Sequence, residues 1–391
     1  MSRHRAYALA VLAAIALTGI LAGGDADAIP AFARRYRFSC STCHAPFPRL
    51  KPFGEEFAAR GFRLPADQEP TRAFIDTGDP WLLLNREFPL AVRLEGYGVW
   101  REKSGVDEDF QWPWAFKLLS GGPVSKSVSY YFYGIMESGE TLKLEDTYLQ
   151  FNSVFHLPVD VIFGQFQVSD VLFKRELRLE RNDYQIYKER VGLVSTDLTY
   201  DRGLVFAWRA PAELDVQFQV VNGNGIEPAV DDRFDNNGYK NTSLHVGRTF
   251  GPVRVGLFGY YGRIGTRAGT NTTTYVGPDL AAALGEKWQL NVQYLERRDT
   301  NPFFVVEPGP DYVMKGGFAE VLYFPQGQDG RWALVGLYNR ITRNRSSGPR
   351  FENASATASY LLARNVRLVA EVARDFEAEA NSLSLGVVTA F

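Results

Sequence analysis

From about Pro89 to Phe391 the chain runs in segments of roughly ten residues that alternate apolar with polar or small side chains, separated by turns. Val92, Leu94, Gly96, Gly98 and Trp100 interleave with Arg93, Glu95, Tyr97 and Arg101. Leu214, Val216, Phe218 and Val220 interleave with Asp215, Gln217 and Gln219. A period of two sends successive side chains to opposite faces of a strand, and repeated strands of this length are the pattern of a transmembrane β-barrel. A soluble β-sandwich alternates as well, but three features favour the barrel. Short turns such as Gly121-Gly122-Pro123 and Pro211-Ala212 take turns with the long stretches 168–201 and 223–239. Aromatics collect near strand ends, as interfacial girdles do. The last strand, with Leu383, Leu385, Val387 and Thr389 in one phase, ends the chain on Phe391.

Sixteen strands are expected, near 90–101, 110–119, 126–136, 142–151, 158–167, 202–210, 213–222, 241–250, 253–263, 273–283, 286–298, 314–324, 331–343, 351–362, 365–374 and 381–391. Fourteen is the alternative count. An even number returns both barrel ends to one side. Barrels of about 16 to 18 strands leave an open lumen, wide enough for a small plug. The expected fold class is therefore all-β: a transmembrane antiparallel barrel over 89–391, with a small N-terminal domain plugging its lumen.

Ahead of the barrel, residues 1–28 read as a signal peptide. Arg3, His4 and Arg5 give a positive start, Ala6 to Ala22 is apolar, and Ala26-Asp27-Ala28 supplies the small-x-small cleavage pattern. No other apolar run is long enough for a spanning helix. The chain carries 43 basic and 45 acidic residues, a balance of -2 that argues against nucleic acid as a partner.

Residues 29–88 form a second compositional unit around Cys40-Ser41-Thr42-Cys43-His44. Cys-x-x-Cys-His is the attachment pattern of c-type haem. Cys40 and Cys43 would add to the two vinyl groups of one porphyrin, and His44 would ligate the iron from below. The chain has only these 2 cysteines, so none remains to complete a zinc tetrahedron or a disulfide framework. Pro30, Phe32, Tyr36, Phe38, Pro46, Phe47, Pro48, Leu50, Phe53 and Phe57 supply the apolar shell such a group needs. A short helix is expected over 55–60, stopped by Gly61.

The run Ile29-Pro30-x-Phe32-Ala33-Arg34-x-Tyr36, the haem motif, Pro48-x-Leu50 and Phe53-Gly54-x-x-Phe57 resemble the fused monohaem cytochrome–porins of the bacterial outer membrane, the iron-oxidase type. Signal, haem segment and barrel also follow in that family's order. The resemblance implies one covalent haem c, extracellular Fe(II) or another donor, a periplasmic c-type cytochrome as acceptor, and contact with outer-membrane lipid. The haem domain would lie in the lumen or hang on the periplasmic side. Two other readings stay open: flow outward to an extracellular acceptor, and a diffusion porin with a structural haem.

The sixth iron ligand is not set by the sequence. His245, on the phase of Ser243 and Gly247, is expected to face the lumen, and His156 to lie in a short periplasmic turn. Met136 and Met314 fall near strand ends, where methionine is more often a packing residue. The mixed-charge run from Lys174 to Arg181, with Asp183, Lys188, Glu189 and Arg190, offers arginines for haem propionates if it lines the lumen, or a solvated ion-paired loop if it does not. Asp231, Asp232 and Asp235 would gather a hard cation or simply be a solvated loop.

Overall fold

The computed structural model describes residues 31–65, 68–70, 73–79, 81–235, 237–344 and 349–391. The signal peptide, with Ile29 and Pro30, lies outside the described residues. A two-stranded sheet of β1 (Phe74–Ile75) and β2 (Leu84–Asn85) precedes the barrel. The first half of the barrel is β3 (Leu90–Arg101), β4 (Glu108–Pro123), β5 (Val128–Glu137), β6 (Lys143–Phe151), β7 (Val159–Gln167), β8 (Tyr200–Ala210), β9 (Leu214–Val221) and β10 (Asn241–Phe250). The second half is β11 (Val253–Thr266), β12 (Gly269–Leu284), β13 (Trp288–Asp299), β14 (Tyr312–Tyr323), β15 (Trp332–Arg343), β16 (Pro349–Ala363), β17 (Val366–Asp375) and β18 (Ala380–Ala390). Each strand pairs antiparallel with its sequence neighbours, and β18 pairs with β3 to close the barrel. All sixteen expected strands are present.

Both barrel ends, Leu90 and Ala390, lie on one rim, called proximal here; the opposite rim is distal. The long connections 168–199 and 222–240 are distal, and the connections 211–213, 251–252 and 364–365 are proximal and short. β15 shows how the alternation is used. Trp332, Leu334 and Tyr338 face outward and are exposed, while Ala333, Val335, Leu337, Asn339 and Ile341 face inward and are buried. Trp288 stacks on Tyr323 at 4.3 Å and Trp332 on Tyr360 at 4.8 Å, forming an outward aromatic girdle near the proximal rim. Higher on the same face Tyr294 is exposed, and beyond it Glu296 pairs with Arg298 at 2.6 Å and Lys315 at 2.8 Å, where the wall meets water. An apolar belt bounded by aromatics and then by charges is the surface a hydrocarbon layer requires.

Part of the lumen is filled by chain. Connection 168–199 leaves the distal end of β7 and folds inward. Tyr184 stacks on Phe318 at 3.9 Å and donates from its hydroxyl to Glu320 Oε1 at 2.8 Å. Tyr187 donates to Gln293 Oε1 at 3.2 Å, and Leu179 packs with Leu322, Phe324, Ala333 and Val335. This explains why the inward phase of β15 is largely apolar: it meets a packed loop instead of water.

The outward belt makes a direct prediction. Val321 is exposed between Tyr323 and Ala319 on the outer face of β14. Val321→Arg is expected to destabilise the barrel by about 2–4 kcal/mol, read by equilibrium unfolding from phospholipid vesicles. An unchanged stability would mean that this face does not meet hydrocarbon.

Candidate functional site

The Cys-x-x-Cys-His residues form a single helical turn between two short helices: α1 (Ala31–Tyr36), α2 (Cys40–Cys43) and α3 (Pro52–Ala59). The Ser39 hydroxyl accepts from Ser41 N, and His44 N donates to Cys40 O at 2.9 Å, which closes the turn. Residues three apart on a helical turn share a face, so Cys40 and Cys43 point to one side. Both are free thiols and half-buried. Burial pushes the Cys43 thiol up to about 11, with repulsion from Cys40 adding to it and Lys51 opposing it; burial raises Cys40 as well. Reactive redox cysteines sit in surroundings that lower their pKa. This pair does not.

His44 leaves the turn in an extended conformation, and its Nδ1 lies 3.2 Å from Pro48 O and 3.3 Å from Arg49 O. Both partners are carbonyls, so Nδ1 carries the proton and Nε2 keeps a lone pair. Burial pushes the imidazole basicity down, against the two carbonyl contacts, and Arg93 and Lys51 push it the same way. A neutral ring with one anchored N–H and one free nitrogen is the form that ligates a metal. The loop that holds it is tied by Ala45 N to Arg49 O at 2.9 Å and Lys51 N to Cys43 O at 2.8 Å. α3 packs directly beneath: a Cβ on Gly54 would stand 2.5 Å from Cys43 O. α3 starts three residues earlier than the expected 55–60, with Pro52 at its head, and the chain turns away at Gly61 with φ +68°. Phe32, Tyr36, Phe38, Phe53, Phe57 and Phe62 pack edge-on and stacked around it, with Phe32–Phe57 at 5.4 Å and Tyr36–Phe57 at 5.3 Å.

This segment seats in the proximal mouth of the barrel. Lys51 pairs with Asp329 at 2.6 Å, Gln150 Nε2 donates to Ala59 O at 2.7 Å, and Phe62 stacks on Tyr131 at 5.2 Å. Phe47 joins one buried apolar cluster with Tyr97, Val99, Leu361, Val369 and Val388. Arg49 donates to Gln289 Oε1 at 3.3 Å and lies 3.8 Å from Glu320, the carboxylate that also receives Tyr184 from the distal loop. The segment and the loop therefore meet at Glu320. A cavity of about 590 Å³ remains beside the loop, lined by charged and aromatic groups including Arg93, Glu95, Trp114, Glu180 and Arg181.

The other candidates are placed as follows. The run from Lys174 does enter the lumen, but Arg175 and Arg178 both pair with Asp183, the latter at 2.5 Å. Arg181 lies over Trp114 at 4.5 Å and Tyr97 at 4.9 Å. His245 faces inward and is fully buried, with Nε2 committed to Asp279 at 2.8 Å. It sits on β10, whereas the segment's contacts named above fall on β3, β5, β6, β13, β14 and β16–β18. His156 is exposed in its turn with φ +62°. Met136 alternates out of phase with buried Tyr133 and Ile135, and Met314 is buried among Tyr312, Phe318 and Ile341. Asp231 and Asp232 have left-handed φ values in a tight turn, and Asp235 pairs with Lys240. Among the described residues no three His, Cys, Asp or Glu side chains converge on a bare metal ion. Sequence reasoning missed Arg49 and Glu320, whose contact spans distant parts of the chain; the inward phase of Glu320 on β14 was the one signal available.

No protein-family model and no curated protein matches this chain. Solved structures do. The anion-selective porin of Comamonas acidovorans superposes with a TM-score of 0.57 at 8% identity, covering 78% of this chain and 99% of that one. The fold is that of a porin. OmpF of Salmonella typhi, solved with daunomycin, gives 0.54 at 10% identity over 80% of this chain and 98% of its own. The outer membrane channel DcaP of Acinetobacter baumannii gives 0.54 at 10% over 77% and 96%. Identities this low speak to the porin architecture alone.

Two outcomes test the local geometry. In protein refolded from haem-free inclusion bodies, the alkylation rate of Cys43 is expected to keep rising toward pH 11, because its raised pKa leaves little thiolate at neutral pH; a plateau near pH 9 would contradict the burial. Gly54→Val is expected to lift α3 from Cys43 and destabilise the segment by about 1–3 kcal/mol, read as faster alkylation of both thiols with the barrel's melting unchanged.

Proposed function

We propose that this protein is an outer-membrane electron conduit carrying one haem c on Cys40 and Cys43, with His44 as the axial iron ligand. In this reading it takes one electron from extracellular Fe(II), leaving Fe(III), and delivers it to a periplasmic c-type cytochrome. The observation that carries the proposal is the helical turn that aims both thiols to one side beside an imidazole whose Nε2 is free and whose Nδ1 is anchored. The resemblance of 29–57 to the monohaem cytochrome–porins supports it, and the porin fold and its apolar belt support an outer-membrane location.

Bound there, a haem c would supply a one-electron Fe(III)/Fe(II) couple. The chain's own residues do the rest. Pro48 and Arg49 carbonyls hold the His44 ring by its N–H, which raises its strength as a ligand. Phe32, Phe38, Phe53 and Phe57 pack on one another beside the motif and give it an apolar wall. Glu320 ties Arg49 to the distal loop, so the segment is held from above as well as from the rim. The hydrocarbon core of a bilayer, about 30 Å thick, separates the two sides, and a segment inside the barrel shortens the distance an electron must cover.

The porin fold favours a second reading, a diffusion channel; against it stand the loop 168–199 and the N-terminal segment, which both reach into the lumen. Liposomes containing the purified protein are expected to resist swelling in small sugars; swelling at porin-like rates would favour a channel. Anaerobic addition of Fe(II) to the oxidised holoprotein is expected to bring up the reduced c-type absorption bands. Reduction by dithionite but not by Fe(II) would sink the iron assignment while leaving the haem in place.

A further inference from the structure

Arg367 is a fully buried guanidinium on the inner face of β17 that makes no ion pair among the described residues. Its Nη1 donates to Leu179 O at 2.6 Å and to Ser359 Oγ at 2.9 Å, and its Nε is buried without a partner. The carboxylates of Glu95 and Glu180 act on it from beyond ion-pair distance, and a buried cation held only that way is less stable than a directly paired one. Neighbouring cations are arranged otherwise. Arg93 pairs with Glu95 at 2.8 Å, Lys117 with Glu176 at 2.7 Å, Lys51 with Asp329, and Arg49 faces Glu320. The arginines of the distal loop are held by Asp183 or lie over aromatic rings. Arg181 and Arg367 both lack a carboxylate within ion-pair distance, and of the two only Arg367 is fully buried.

Its position relative to the motif gives this charge a direction. The guanidinium carbon of Arg367 stands 6.0 Å from the ring of Phe47, three residues after His44. Arg364, in the turn just before β17, acts electrostatically on the Cys40 thiol. The thiol-bearing turn and Arg367 thus share one sector of the wall, at the proximal end of β17. A haem brings two propionate carboxylates into whatever interior receives it, and an arginine fork matches a carboxylate in shape and charge.

We propose that Arg367 is the barrel's partner for a haem propionate, so that the cofactor is held by covalent bonds to the N-terminal segment and by an ion pair to the wall. This rests on the haem reading above. The propionate would give Arg367 a carboxylate at ion-pair distance, and Arg367 would add positive charge to the surroundings of the haem. Positive charge disfavours the ferric state, which carries one more positive charge than the ferrous, and so raises the midpoint potential.

The test uses full-length holoprotein of the wild type, R367Q and R367K. The mass of the denatured chain first establishes whether haem is covalently attached; its absence from the wild type would overturn the haem reading itself, separately from the role of Arg367. With haem attached, R367Q is expected to show a lower midpoint potential in a spectroelectrochemical titration, and R367K a value near that of the wild type at neutral pH. An unchanged potential in R367Q, with an intact c-type spectrum, overturns the pairing. Should R367Q fail to accumulate, resonance Raman spectra of the wild type answer the same question. The propionate bending band is expected at a hydrogen-bonded position that shifts in deuterated buffer, and the band of a freely solvated carboxylate overturns the proposal.

Discussion

Strand β18 lies against β3 from Ser382 opposite Arg101 to Ala390 opposite Arg93, and Phe391 N donates to Val92 O at 2.9 Å beyond the last pair. Inside hydrocarbon a backbone N–H or C=O has no water to bond, so a spanning sheet must have no edge. Everything else about this chain follows from meeting that demand. Sixteen strands are enough to close a wide ring, a wide ring encloses a lumen, and the interior of that lumen becomes available for the loop and the N-terminal segment to occupy.

The two-residue period made the barrel legible. An outward position must suit lipid and an inward one must not, so each strand announces itself, and expected boundaries such as 90–101 and 241–250 coincide with β3 and β10. Departures occur where strands rise past the membrane: β12 extends to Gly269 because Thr270 to Thr274 pair in register with β11 above the belt, in polar sequence that carries no apolar signal. The inward turn of 168–199 was also hidden. A polar, charged stretch reads the same whether it faces water outside or a polar lumen, and only the apolar inward phase of β15, with Val335 and Leu337, hints that something packs there.

The candidate site was legible to the extent that it is local. Cys40, Cys43 and His44 fall within five residues, so their geometry follows from one helical turn, and much of the aromatic shell comes from the short helices on either side. What holds that turn in the barrel was not legible. Arg49 meets Glu320, and Phe47 shares a buried cluster with Val388, across most of the chain length, and a single sequence carries no trace of which inward residue faces which. The loop arginines show the same limit: their charge marked them as candidates, yet Asp183, only a few residues away, takes two of them.

The pocket for Phe47 has a further meaning. It combines Tyr97 and Val99 from the first barrel strand with Val388 from the last. Residues of the first and last strands become neighbours only when the ring is shut, so this part of the segment's seat is completed by closure, whereas Tyr131 and Gln150 need only β5 and β6. The part of the chain synthesised first therefore finds its complete seat only once the part synthesised last is in place.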